Sequence, residues 1–140
     1  RYVLANRSDY YRYLRRVTTN ADWESWLLYM LSAVTETARW TTDRIHRIRH
    51  LADATEELIR QKAPTTHSRE LVDLLFERPY CRIRDVVDAG IAQRQTASVY
   101  LKTLTELGVL DTYKAGREKI FINKRLMHLL TQEDPGPLTF

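Results

Sequence analysis

The chain has 140 residues, of which 44% are hydrophobic, so it can fill one modest core or two small ones. A formal net charge of +4 favours a polyanionic partner but does not specify a fold. No hydrophobic run approaches the 18 residues that a membrane-spanning helix needs, and a single cysteine, Cys81, excludes an internal disulfide. We therefore expect a protein of the reducing cytoplasm that does not enter a membrane. The chain starts at Arg1 without a secretory pattern, and we expect it to be a piece of a longer protein.

The pattern of apolar residues predicts that the first 62 residues are helical. Residues 1–19 carry a short apolar stripe, and so short a helix needs a surface to dock on. Asp22 can then cap a helix of up to ~40 residues, although a β-branched pair near its middle leaves its continuity open. Its apolar stripe consists of Leu31, Val34, Ala38, Thr41, Ile45, Ile48, Ala52, Thr55 and Ile59. This stripe is either a buried core face or a coiled-coil-like seam between two copies of the chain, and the spacing alone favours neither.

A different pattern follows residues 63–67, where a proline ends the long helix. Gly90 separates two short helical patterns, and Gly108 ends the second of them. Beyond Gly108 the period changes from 3.6 toward 2, and Gly116 marks the turn between two short strands. Two helices joined by a tight turn and followed by a hairpin are typical of a winged helix.

The predicted fold is therefore mostly α. It has a helical segment with one very long helix, followed by a winged helix-turn-helix domain with a small two- or three-stranded β-sheet. The predicted boundaries are 1–62 for the helical segment, 63–67 for a linker, 68–131 for the winged domain and 132–140 for a flexible tail.

Residues with the spacing of a catalytic or metal site are hard to find. The four glycines form no phosphate-binding loop. His46 and His50 lie four residues apart on the long helix, but no third ligand is near them in sequence. We therefore predict no catalytic residue, no metal ligand and no cofactor in this chain.

Basic and polar side chains of the winged domain point to nucleic acid. Residues 91–131 contain seven Lys and Arg residues against three Asp and Glu residues. Arg and Gln at the start of the second helix are suited to reading base edges, and cations on the hairpin are suited to phosphates. The predicted nucleic-acid-binding residues are Arg94, Gln95, Ser98, Lys102, Lys114, Arg117 and Lys119. The alternative is a soluble surface or a protein-docking face, because acidic residues dilute the positive charge.

Several stretches, in order, resemble one known family. They are NRSDYYRYL at 6–14, DWESW at 22–26, RWTT at 39–42, GIAQRQTASVYLK at 90–102, KAGREKIFIN at 114–123 and RLMHLLT at 125–131. Their order and spacing resemble the C-terminal region of bacterial Fic-family protein adenylyltransferases. The resemblance extends from Arg1 to Thr131, and it implies that residues 1–62 are the C-terminal part of the Fic core and its extension.

The resemblance implies an enzyme that transfers AMP from ATP, with Mg²⁺, to a hydroxyl group of a target protein. The catalytic motif of the family is His-Pro-Phe-x-x-Gly-Asn-Gly-Arg, and this chain contains no His-Pro pair. We expect the motif to lie upstream of Arg1 in the parent protein. The family's catalytic roles therefore have no counterpart among these residues.

Three functions fit these observations. The first is an accessory module that positions a Fic-type enzyme on DNA or on a protein partner. The second is a transcription-regulator-like domain that binds DNA as a homodimer through the long helix. The third is a purely structural oligomerisation or docking module. The resemblance favours the first.

Overall fold

The computed structural model describes residues 2–116 and 118–132. Its elements are α1 (Tyr2–Ala5), α2 (Arg7–Asn20), α3 (Trp23–Lys62), α4 (Arg69–Glu77), β1 (Tyr80–Cys81), α5 (Ile83–Asp88), α6 (Arg94–Glu106), β2 (Asp111–Ala115), β3 (Glu118–Ile122) and α7 (Lys124–Thr131). Helices account for most of these residues, and three strands form one antiparallel sheet in the order β1-β3-β2. The predicted fold, mostly α with one very long helix and a small sheet, is confirmed.

The chain divides into two compact units, Arg1–His46 and Arg47–Phe140, and the division falls within α3. The predicted domain boundaries, with a linker at 63–67, stay predictions. Most of the predicted flexible tail falls on residues 133–140, outside the described part of the chain. Within the described part, no helix has both the length and the apolar character needed to cross a membrane.

Aromatic side chains hold the first unit together. The helix predicted over residues 1–19 is two helices, since the chain turns at Asn6. The ring centroid of Tyr29, on α3, lies 5.6 Å from that of Tyr2 and 5.3 Å from that of Tyr13. The Tyr29 hydroxyl also donates to the carbonyl oxygen of Asn6 at 3.3 Å. The short N-terminal helices therefore dock on an aromatic surface, where ring contacts add to the burial of apolar area.

The long helix α3 is uninterrupted over its 40 residues. It begins as predicted, because Oδ1 of Asp22 accepts a hydrogen bond from the backbone N–H of Ser25 at 3.2 Å. No Gly or Pro occurs between Trp23 and Lys62. The β-branched pair Thr41–Thr42 therefore lowers the helix propensity without breaking the helix.

The predicted apolar stripe of α3 is buried only toward its C-terminal end. Ile59 is 0% exposed, whereas Val34 and Ile45 are 63% and 45% exposed. In the first unit, α3 buries a different face, which carries Tyr29 and Ala33, because the aromatic contacts with α1 and α2 fix that face inward. The interpretation of the stripe as core is therefore wrong for its N-terminal part. The alternative, a seam between two copies, stays a prediction.

An apolar core joins the elements of the second unit. Ile59 of α3, Leu71 of α4, Val86 of α5 and Leu101 of α6 are fully buried in it, and Phe121 of β3 is 4% exposed. A smaller cluster joins α3 to α7, and its buried members are Leu51, Leu126 and Leu129. This core fixes α6 and the β2–β3 hairpin on a common support.

Capping residues read from the sequence set the ends of several elements. The Ser68 Oγ accepts from the backbone N–H of Leu71 at 3.0 Å at the start of α4. In the same way, Asn123 Oδ1 accepts from the N–H of Leu126 at 3.0 Å and starts α7. Gly108, just after α6, has a φ of +71°, a conformation that side-chain-bearing residues rarely adopt. The predicted stop after α6 is confirmed.

We expect Ile59→Ala and Ile45→Ala to differ sharply in their effect on the free energy of unfolding. Ile59→Ala should lower it by about 2–5 kcal/mol because a cavity opens in the core. Ile45→Ala removes a side chain that is 45% exposed, and should lower it by less than about 1 kcal/mol. Urea unfolding followed by circular dichroism measures both. Equal losses would contradict the exposed position of Ile45.

Candidate nucleic-acid interface

Helix α6 presents one buried apolar face and one exposed face that is polar except for Val99, which is 59% exposed. Ala97, Leu101 and Leu104 are fully buried against the core, as predicted, so the opposite face lies in solvent. Gln95 and Lys102 are exposed on that face. The exposed residues at the start of this helix are the ones placed to meet base edges in a winged helix.

One of the predicted cations on α6 is partly neutralised. Lys102 Nζ lies 3.6 Å from Oε1 of Glu106, one helical turn away. Both side chains are largely exposed, so this pair contributes little to stability. The attraction of Lys102 for an anionic ligand is therefore weakened by its acidic neighbour. Arg94 makes no ion pair with the described residues, so its attraction is not weakened in this way.

The hairpin places two lysines directly opposite each other. In the antiparallel register of β2 and β3, Lys114 is the partner of Lys119, next to the turn at Gly116. Like charges directly opposite each other across two strands are destabilising, and both side chains are exposed. Arg117, the third predicted hairpin cation, lies outside the described residues. The hairpin therefore holds concentrated positive charge at some expense of stability.

A cavity of about 340 Å³ brings residues of α5, α6 and β3 together. Three predicted residues line it, namely Arg94, Ser98 and Lys119. Arg82, Arg84 and Glu118 line it as well, and none of these three was predicted from the sequence. Among the described residues, the cavity is thus lined by four cations, one carboxylate and one hydroxyl, together with the apolar Ile83. Gln95, Lys102 and Lys114 do not line it.

Pairing of β1 with β3 explains how Arg82 and Arg84 reach this cavity. Cys81 pairs with Phe121, which sets the start of α5 beside the first residues of β3. The only local signal was the alternation of Arg82, Ile83 and Arg84 at the start of a short helical pattern. Nothing in that alternation indicates which distant strand this segment will lie beside. Cys81 itself is buried, and burial raises the pKa of its thiol to about 12, so it stays neutral beside Arg82.

The cations of the cavity are only weakly paired. Arg82 Nη1 lies 3.5 Å from Oε2 of Glu118, and Arg84 Nε lies 3.9 Å from Oδ1 of Asp85. Guanidinium and ammonium groups donate hydrogen bonds and cannot ligate a metal, so the cavity suits an anion. Among the described residues, no three His, Cys, Asp or Glu side chains are close enough to hold a metal ion.

We expect replacement of Lys114 to stabilise the hairpin. Lys114→Gln removes the repulsion with Lys119, and Lys114→Glu replaces it with an attraction. The midpoint of thermal unfolding should rise in the order Lys, Gln, Glu, by about 1–5 °C overall at low salt. Differential scanning calorimetry measures it, and 1 M salt should remove most of the difference. A Lys114→Glu midpoint below that of the wild type would contradict this.

A comparison with protein families matches the model described as "Protein adenylyltransferase SoFic-like, C-terminal domain" to residues 51–126. The matched span is more than half of the 140 residues and contains α4, α5, α6, the whole sheet and the cavity. The resemblance to the C-terminal region of Fic-family adenylyltransferases is thereby confirmed. This chain belongs to the family of SoFic-like C-terminal domains of protein adenylyltransferases.

Proposed function

We propose that this C-terminal module serves a cytoplasmic Fic-type adenylyltransferase by binding duplex DNA through α6 and the β2–β3 hairpin. In this proposal, the parent enzyme transfers AMP from ATP, with Mg²⁺, to a hydroxyl group of a target protein. ATP and Mg²⁺ bind elsewhere in the parent, because the sequence of this chain has neither the family's catalytic motif nor a phosphate-binding loop. The module places the enzyme at its site of action.

One observation carries the DNA proposal, namely that a single cavity is lined by cations of α6 and of the hairpin. Arg94 comes from the start of α6, and Lys119 comes from β3. In winged helices that bind DNA, the second helix enters the major groove while nearby basic groups contact the phosphates. Successive phosphates of a DNA strand can therefore contact cations of both the helix and the hairpin on one continuous surface.

The number of cations without an ion-pair partner sets the expected affinity for DNA. Arg94 and Lys119 make no ion pair with other described residues, while Lys102 is shared with Glu106. With so few phosphate contacts, non-specific binding should have a Kd of about 10⁻⁴–10⁻⁵ M near physiological salt. Specific binding requires base contacts, for which the exposed Gln95 is the best placed side chain.

We expect Lys119→Ala and Gln95→Ala to weaken DNA binding in different ways. Lys119→Ala should lower the affinity for all duplexes alike and reduce the slope of log K against log salt by about one. Gln95→Ala should cost about 1–3 kcal/mol at the preferred sequence and little elsewhere. Fluorescence anisotropy with labelled duplexes between 50 mM and 200 mM salt measures both effects.

A matched control for these variants is Lys62→Ala, which removes an exposed cation at the end of α3, outside α6 and the hairpin. This control should leave the binding close to that of the wild type. If wild-type chain shows no binding at 50 mM salt, or if all three variants behave alike, the winged domain is a protein-docking module.

A second candidate function, homodimerisation through α3, is favoured by one observation. Leu27, Leu31 and Val34 are 55%, 62% and 63% exposed, and Ile45 continues their spacing of four and three residues. Alternating steps of three and four residues form the seam of a two-stranded coiled coil. A second copy seated on this face would also double the number of DNA contacts.

We expect light scattering at about 100 μM to give the mass of a dimer for the wild-type chain and of a monomer for Leu31→Lys. Leu31 is 62% exposed, so this substitution should leave the fold intact, and far-ultraviolet circular dichroism checks that it does. A wild-type monomer at this concentration would contradict dimerisation and leave the DNA proposal untouched.

A further inference from the structure

We propose that the cavity between α5, α6 and β3 is a seat for a phosphate group, and that Glu118 is its built-in competitor. In the unbound chain, the Glu118 carboxylate occupies the place on Arg82 that a phosphate takes in the complex. This inference deepens the proposed function, since the phosphates of a DNA backbone supply the ligand. It assigns Arg82 and Glu118, rather than the exposed α6 cations alone, to control of binding strength.

The state of the Arg82 guanidinium is the first step of the argument. Its Nη1 is 3.5 Å from Oε2 of Glu118, whereas a well-formed bond between a guanidinium and a carboxylate is about 2.7–2.9 Å long. Its Nε is buried and has no hydrogen-bond partner among the described residues. A buried donor without an acceptor is costly, and a planar guanidinium prefers two parallel bonds to one anion. Arg82 therefore lacks the bidentate partner that its geometry favours.

The second step concerns the nearby carboxylates. Asp85 is committed, since its Oδ2 accepts the backbone N–H of Arg82 at 2.7 Å at the start of α5. The Glu118 carboxylate makes no other hydrogen bond or ion pair to a described residue, and 54% of the side chain is exposed. It is the first residue of β3, next to the hairpin turn. Glu118 can therefore leave Arg82 by rotating its side chain into solvent, without breaking a backbone contact.

The third step is the match between the cavity and a phosphate. Arg84, Arg94 and Lys119 add three positive charges, and the Ser98 hydroxyl adds a neutral donor. A backbone phosphate offers two charged acceptor oxygens, as the Glu118 carboxylate does, and the neighbouring phosphates of the strand add further negative charge. A volume of about 340 Å³ exceeds that of one phosphate group and leaves room for the adjoining sugars of a backbone. The four cations exceed what one carboxylate can neutralise.

The main test is a double-mutant cycle on DNA affinity. Glu118→Gln should raise the affinity for any duplex about two- to fivefold at 100 mM salt, because an exposed ion pair no longer has to be broken. The matched control is Glu77→Gln, which makes the same change in net charge at an exposed carboxylate that does not line the cavity. In the Arg82→Gln background, Glu118→Gln should gain no more than Glu77→Gln does, since its partner is gone.

The outcomes separate the inference from the proposed function. A gain with Glu118→Gln that exceeds the control, and whose excess vanishes in the Arg82→Gln background, supports the seat. A gain equal to that of Glu77→Gln, or an excess over that control that persists without Arg82, overturns it while DNA binding itself stands. Circular dichroism of each variant checks that the fold is retained, and Arg82→Lys serves as a second variant that keeps the charge but loses the bidentate geometry.

A second measurement tests the seat even if no duplex binds. Inorganic phosphate is titrated into the chain while nuclear magnetic resonance follows the arginine Nε–Hε signals. The Arg82 signal should shift more than that of the exposed Arg60, and at lower phosphate concentration in Glu118→Gln than in the wild type. Such a response without DNA binding would retain the phosphate seat and remove DNA as its source. An Arg82 signal that responds no more than Arg60 overturns the seat.

Discussion

The pairing of the two-residue strand β1 with β3 is the contact on which the arrangement of the second unit depends. Tyr80 pairs with Ile122 and Cys81 with Phe121, and the backbone N–H of Asn123 donates to the carbonyl of Pro79 at 2.9 Å. These contacts join segments about 40 residues apart in sequence. Without them, only core packing, with Val86 of α5 and Phe121 of β3 in one cluster, would hold the start of α5 near the hairpin. The cavity exists because a short antiparallel ladder brings two basic segments to the same place.

Strand β1 is anchored to the core because successive side chains point alternately into the core and into solvent. Cys81 is buried and Tyr80 is half-exposed, as the alternation of a strand at the edge of a sheet requires. The next residue, Arg82, extends from the end of the strand to the start of α5, where Asp85 holds its backbone. A helix start and a strand end are thus fixed within three residues. That rigidity keeps the guanidinium of Arg82 near the hairpin while the side chain itself stays under-bonded.

Local signals in the sequence were sufficient to predict much of the second unit. Gly90, Gly108 and Gly116 all have positive φ angles, so each one marks a turn that other residues would strain. Ser68 and Asn123 mark helix starts because their side-chain oxygens satisfy free backbone N–H groups. Long-range contacts left no such signal. The buried face of α3 in the first unit depends on ring contacts with α1 and α2, and the two-residue strand β1 is too short for a recognisable period.

The same distinction explains which site residues could be predicted. Arg94, Ser98 and Lys119 belong to elements with clear local patterns, and the structure brings these three to one cavity. Arg82 joins them only through strand pairing, so composition and spacing gave no reason to group it with them. Its incomplete hydrogen bonding is likewise a property of the folded chain. Cations that repel one another, with one loosely held carboxylate among the described residues of the cavity, are unfavourable for folding by themselves. When a polyanion binds, the same cations make a favourable contribution to the free energy of the complex. This change of sign links the charge distribution to the function proposed for the domain.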